Sequence, residues 1–97
     1  MARPTAFSSD ELDRAVGDLP GWSVVDGKLH REFVFGDFAC AFGFMAAAAT
    51  YAEKLDHHPE WSNVYARVTV DLTTHDAGGV TELDVRFARR LNELAGD

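Results

Sequence analysis

Asn63-Val-Tyr-Ala-Arg-Val-Thr-Val-Asp-Leu-Thr73 alternates along its whole length. Val64, Ala66, Val68, Val70 and Leu72 fall on one side, and Tyr65, Arg67, Thr69, Asp71 and Thr73 on the other. A period of two is the mark of a strand with one buried face. Upstream, Trp22–Val25 and the run Lys28 to Phe35 are separated by Asp26-Gly27, a dipeptide that accepts the positive φ angles of a type I′ hairpin turn. In the second of these runs Leu29, Arg31, Phe33 and Phe35 share one face, and His30, Glu32 and Val34 the other.

Three helical segments surround these strands. Ser8 and Glu11 form a capping box, Phe7 and Leu12 a staple around it, and Leu12, Ala15, Val16 and Leu19 an apolar stripe that Pro20-Gly21 ends. Asp37 is placed to cap a long helix from Phe38 to about Leu55. Phe38, Phe42, Met45, Ala49 and Ala52 recur there at three- and four-residue steps and are expected to form its buried face. That helix must stop near His57, because Pro59 drives His58 out of the α region. After the Gly78-Gly79 loop, Thr81 and Asp84 cap a last helix, with Val80 and Val85 as its staple and Leu83, Phe87, Leu91 and Leu94 on its inner face. The expected architecture is α+β: an antiparallel sheet covered on one face by three helices, in the order helix, two strands, helix, strand, helix.

Ninety-seven residues suit a single domain, 1–97, with 46% hydrophobic and 26% charged residues, an ordinary globular balance. Nine Lys and Arg against sixteen Asp and Glu give a net charge of −7. That sign argues against direct nucleic-acid binding or an anionic membrane surface, since both need basic residues to meet phosphate. Arg86, Arg89 and Arg90 are too few to reverse it. The lone Cys40 cannot form an internal disulfide and reads as packing. The N-terminal residues lack the apolar run of a signal peptide, and the most apolar segment, Phe38 to Ala49, is too short to span a bilayer. A cytoplasmic protein is expected.

Chemistry points to the histidines. His57, His58 and His75 lie within nineteen residues and at element ends, where sites are built on rigid scaffolds. Imidazole is the side chain suited to proton transfer in either direction at neutral pH. Pro59 makes the two adjacent rings diverge. Glu53 sits one helical turn before His57 and is placed to orient that ring, or else its charge is balanced by Lys54. A metal site is disfavoured, because zinc needs three or four convergent ligands and adjacent histidines lack the i,i+4 spacing. Asp84 reads as a helix cap, His30 as a surface residue, and Trp61 and Tyr65 as core or interface. There is no Gly-rich phosphate loop, Ser-His-Asp arrangement or Cys-x-x-Cys pair. The residues alone reach a small acid–base or binding site made of histidines, without a substrate.

The segment Glu53-Lys-Leu-Asp-His57-His58-Pro-Glu-Trp61, then Asn63-Val-Tyr65, Leu72-Thr-Thr-His75 and Asp84, resembles the signature of the pterin-4a-carbinolamine dehydratase family. Gly21-Trp22, Asp37-Phe38 and Ala41-Phe-Gly-Phe-Met45 extend the likeness, which runs from about Leu12 to Leu94. The resemblance implies removal of water from 4a-hydroxytetrahydropterin to give quinonoid dihydropterin, with no metal or organic cofactor. It implies His57, His58 and His75 as active-site histidines, with His57 and His75 transferring protons and His58 mainly binding pterin. Asp56, Thr73, Thr74 and Asp76 would line the pterin pocket with them. Glu53, Trp61 and Asp84 would stand behind the histidines.

It also implies four strands, and hence a break in the alternating run between Trp61 and Arg67. Ser62 replaces an aromatic residue usual in the family, and Asp76 a common Glu; both bear on pocket shape. The implied assembly is a homodimer or homotetramer. Two further observations favour self-association: the core of so short a chain is small, and the strand face of Tyr65, Arg67 and Thr69 leaves an edge open to pairing. The competing function is non-catalytic, since relatives serve as a dimerisation cofactor of a homeodomain transcription factor or, without the histidines, in assembly. This chain has all three histidines.

Overall fold

The computed structural model of the chain describes residues 4–96; the leader reading of the first three residues lies outside them. Helix α1 (Ser9–Gly17) leads into strands β1 (Ser23–Val25) and β2 (Lys28–Val34), then helix α2 (Phe38–Leu55), strands β3 (Glu60–Val64) and β4 (Arg67–Leu72), and helix α3 (Glu82–Ala95). The four strands form one antiparallel sheet in the order β1-β2-β4-β3. The fold is α+β, as the patterning indicated.

Local chemistry accounts for the element ends. Asp26 and Gly27 both take positive φ, 52° and 76°, which closes β1 onto β2. The Ser8 and Thr81 capping boxes are both formed, and Asp37 accepts the Cys40 amide at 2.8 Å at the start of α2. On the helix-facing side of the sheet, Leu29 pairs with Leu72, Arg31 with Val70 and Phe33 with Val68. These residues meet Ala41, Phe44, Ala48 and Ala52 of α2 and Phe87, Ala88 and Leu91 of α3 in one core. The opposite face is polar and carries the ion pairs Lys28–Glu60, His30–Asp71 and Arg67–Glu32.

Three expectations need correction. The alternating run from Asn63 is two strands: the chain reverses at Tyr65-Ala66, where Tyr65 has φ 52° and the Asn63 side-chain Nδ2 donates to the Tyr65 and Arg67 carbonyls at 3.1 and 2.8 Å. The break falls within the interval the family likeness implied. Apolar alternation continues through the turn without Gly or Pro, which is why periodicity alone passes over it. Second, β4 is paired on both sides, so the open edges are β1 and β3 rather than the strand carrying Arg67 and Thr69. Third, α2 buries Ala41, Phe44, Ala48 and Ala52, while Phe38, Phe42 and Ala49 are exposed. An alanine-rich helix is apolar nearly all round, so the large side chains mislead about its phase. The small face goes inward because it lets the helix approach its neighbours closely.

Candidate active site

Helix α2 ends by a left-handed turn. Asp56 takes φ 52° and ψ 45°, and the His57 amide donates back to the Ala52 carbonyl at 3.1 Å. This C-terminal closure reverses the chain and satisfies the last helical carbonyls. It sends His57 back toward α3, where the ring is buried, while His58, held out of the helix by Pro59, is exposed. On the other side, β4 runs out through Thr73 and Thr74 into a single 3₁₀ turn, His75–Ala77, closed by Gly78 at φ 77°. The two chain ends meet at a cavity of about 200 Å³ lined by Asp56, His57, His58, Thr73, Thr74, His75 and Asp76. Its volume is below the roughly 300–1,000 Å³ of pockets for drug-sized ligands, so it suits one small ring system.

Each imidazole has its own carboxylate. His57 Nε2–H donates to Asp84 Oδ1 at 2.5 Å, His58 Nε2–H to Glu53 Oε2 at 2.6 Å, and His75 Nε2–H to Glu60 Oε2 at 2.8 Å. A carboxylate only accepts, so each pairing puts a proton on Nε2 and leaves Nδ1 without a protein partner. No buried side-chain nitrogen or oxygen among the described residues lacks a hydrogen bond. The unpartnered Nδ1 of His57 is therefore not sealed from solvent, and His57 is one of the residues that line the pocket. A base whose other nitrogen is held by a carboxylate has a fixed tautomer and a fixed direction.

The anchors differ in depth. Asp84 is fully buried; its Oδ2 accepts the Thr74 hydroxyl at 2.8 Å and the Thr81 amide at 2.9 Å, so three donors converge on one carboxylate. Thr74 has given its single proton to Asp84, which makes the Thr81 hydroxyl the donor in the 2.8 Å contact between the two threonines. Asp84 thus caps α3 and orients His57 at once, where the spacing had suggested a cap alone. At the exposed end, Glu60 joins His75 to Lys28, whose ammonium donates to Glu60 Oε1 at 2.6 Å. Lys28 first and His75 second hold the Glu60 carboxyl below its ordinary range, and Glu60 in turn raises the Lys28 ammonium.

Glu53 meets His58 rather than His57, contrary to the helical-turn spacing, because the reversal at Asp56 carries His57 under the helix. Trp61 packs against the core from β3 and is absent from the pocket lining. His30 is half-buried and bound to Asp71 at 2.9 Å on the open sheet face. Glu60 and Lys28 were not singled out from the sequence. Glu60 follows His58-Pro59 at the start of β3 and its side chain lies on the polar sheet face, a position that only the β3–β4 register reveals. Among the described residues, no group of three or more His, Cys, Asp or Glu is arranged to hold a metal ion. None of their helices is long and apolar enough to cross a membrane.

Residues 5–94 match the family model described as pterin 4 alpha carbinolamine dehydratase. A Solibacter usitatus protein named "Putative pterin-4-alpha-carbinolamine dehydratase" is 55% identical over 91 residues, covering 94% of this chain and 96% of that protein. A Brucella ovis protein of the same name is 55% identical over 98 aligned positions, covering 99% and 100%. Among solved structures, a Brucella melitensis protein described as a transcriptional coactivator/pterin dehydratase superposes with a TM-score of 0.92 at 54% identity, over 95% of this chain and all of that one. A pterin dehydratase-like protein identified as a RuBisCO assembly factor in the alpha-carboxysome gives 0.65 at 27% identity, over 78% and 88%.

Proposed function

The chain belongs to the pterin-4a-carbinolamine dehydratase family, and on that premise we propose that it dehydrates 4a-hydroxytetrahydropterin to quinonoid dihydropterin by histidine acid–base catalysis. One observation carries the reading: three imidazoles, each held at Nε2 by a separate carboxylate, surround one small pocket. The reaction needs two proton movements. A proton must reach the C4a hydroxyl so that it leaves as water, and the N5 proton must be taken so that the C4a–N5 double bond forms. His57 and His75 perform these transfers at Nδ1, and His58, with Asp56, Thr73, Thr74 and Asp76, holds the pterin. Asp84, Glu53 and Glu60 keep the three rings in place. Paired imidazoles serve as both acid and base near neutral pH.

Self-association belongs to the same reading, as a homodimer or homotetramer. Strand β3 has one hydrogen-bonding side unpaired, and Val64 and Tyr65 at its end are each 68% exposed. Sedimentation at micromolar concentration is expected to show an assembly; a pure monomer would refute it.

The second reading is a partner-binding role, suggested by the coactivator and assembly-factor descriptions of the two structural relatives. A dehydration assay separates the two. An aromatic amino acid hydroxylase generates the 4a-hydroxytetrahydropterin, and its decay is followed with and without this protein. Acceleration lost in His57→Ala and His75→Ala supports the enzyme; a folded wild type without effect supports partner binding.

A further inference from the structure

Four of the nine Lys and Arg residues in this acidic chain gather in one place. Lys54, near the end of α2, and Arg86, Arg89 and Arg90, on α3, line a groove of about 410 Å³ together with Tyr51 and a single carboxylate, Glu93. It shares no lining residue with the histidine pocket.

Three of the four other described cations are matched, and the fourth, Arg14, lies close enough to Glu11 to help Ser8 hold its carboxyl below the ordinary range. Lys28 pairs with Glu60, Arg67 with Glu32, and Arg31 donates to the Pro20 carbonyl and to Asn92. In the groove only Arg90 has a partner, Glu93 at 3.2 Å. Lys54, Arg86 and Arg89 have no hydrogen-bond or ion-pair partner among the described residues, and neither has the Tyr51 hydroxyl, whose ring packs edge-on against Phe87. Glu82, one turn before Arg86 on the same helix, makes no ion pair with it. Arg86 stands three residues before Arg89 and four before Arg90, spacings at which like charges repel and weaken a helix. The chain has sixteen acidic residues, and among the described ones only Glu93 lines the groove.

We propose that this groove binds a small molecule carrying a chain of phosphate groups. Guanidinium forks match phosphate oxygens in pairs, and an ammonium and a phenol hydroxyl add single donors. Scale favours a small ligand over a macromolecule. Arg86 to Arg90 spans about 6 Å of helix at 1.5 Å per residue, the reach of two or three linked phosphates. The rest of the surface carries the excess of acidic residues and repels an extended polyanion. The site is separate from the proposed chemistry, so binding there stands or falls independently of dehydratase activity.

Inorganic tripolyphosphate is the probe, titrated into ¹⁵N-labelled protein and followed by amide shifts. Saturable one-to-one binding is expected, with the shifts centred on Tyr51, Lys54, Arg86 and Arg89. Inorganic phosphate should bind at least about tenfold more weakly, and the double variant Arg86→Gln/Arg89→Gln should lose at least about tenfold in affinity, since charge-assisted bonds are roughly twice as strong as neutral ones. Both arginines are exposed, so circular dichroism should report an intact variant. Failure to saturate at millimolar tripolyphosphate, or equal affinity in the double variant, would overturn the proposal. So would an oligoglutamate peptide binding the same residues more tightly than tripolyphosphate, which would make the groove a protein-docking surface.

Discussion

His57 and His75 line the same pocket, and each gives its Nε2 proton to a carboxylate, yet the two anchors belong to different physical regimes. The His57–Asp84 pair has side chains 8% and 0% exposed and is backed by two threonines and a helix-capping amide. The His75–Glu60 pair is 74% and 41% exposed and is backed by one lysine. A buried charge deprived of its partners cannot turn to water, so the first anchor is tied to the stability of the whole fold. The second can exchange its partners for solvent at little cost and is screened by salt. One ring of the pocket is therefore fixed by folding, and the other is held by a pair that solution conditions can loosen.

Asp84→Ala should produce the largest effect. It removes the acceptor of His57, of Thr74 and of the Thr81 amide at once, and breaking a buried pair costs about 3–5 kcal/mol. Against a typical total stability of roughly 5–15 kcal/mol, chemical denaturation should show a sharply lowered midpoint; a midpoint within error of wild type would dissolve the contrast between the two anchors. His57→Ala follows, because it strands the buried carboxylate as well as removing one of the two imidazoles proposed to transfer protons. We expect a loss of about 1–3 kcal/mol in unfolding free energy and a fall of roughly 10²–10⁴-fold in turnover.

His75→Ala should sharpen the comparison by separating the two properties. Its turnover should fall by a similar factor, while stability stays within about 0.5 kcal/mol of wild type. A destabilisation as large as that of His57→Ala would mean the exposed anchor supports the fold after all.

Glu60→Gln should have the smallest effect, and a conditional one. The Glu60 carboxyl is held below its ordinary range by Lys28 and His75. A carboxylate with a depressed value contributes above its unfolded value and loses that contribution as pH falls through the folded one. The difference in thermal midpoint between wild type and Glu60→Gln should thus be full at neutral pH, begin to shrink only below about pH 4.5, and diminish in high salt. A difference that is flat across this range, or that grows on acidification, would rule out the ion pair as its source.

Most of the architecture was legible because it is written in local signals. The Asp26-Gly27 turn, the two capping boxes and the Pro59 stop each act within a few residues, and each forms as its chemistry requires. The pocket was legible for a similar reason: the three histidines stand at element ends, where a β-strand and a helix C-terminus can converge. What escaped local reading depends on register and phase. The turn at Tyr65-Ala66 interrupts no apolar pattern, and the alanine run of α2 points to no single buried face. The partner of each histidine is also a long-range fact. Glu53 looks like the neighbour of His57 until Asp56 takes a left-handed conformation. Glu60 comes within reach of His75 because β3 pairs antiparallel with β4, which sets the start of one beside the end of the other.

The most direct test of the three-histidine pocket is the dehydration of hydroxylase-generated 4a-hydroxytetrahydropterin, measured with wild type, His57→Ala and His75→Ala at equal concentrations of folded protein. Acceleration by the wild type and its near-complete loss in both variants is the predicted result. Full activity in both variants would contradict the account, since the chemistry would then lie outside the imidazoles that surround this pocket.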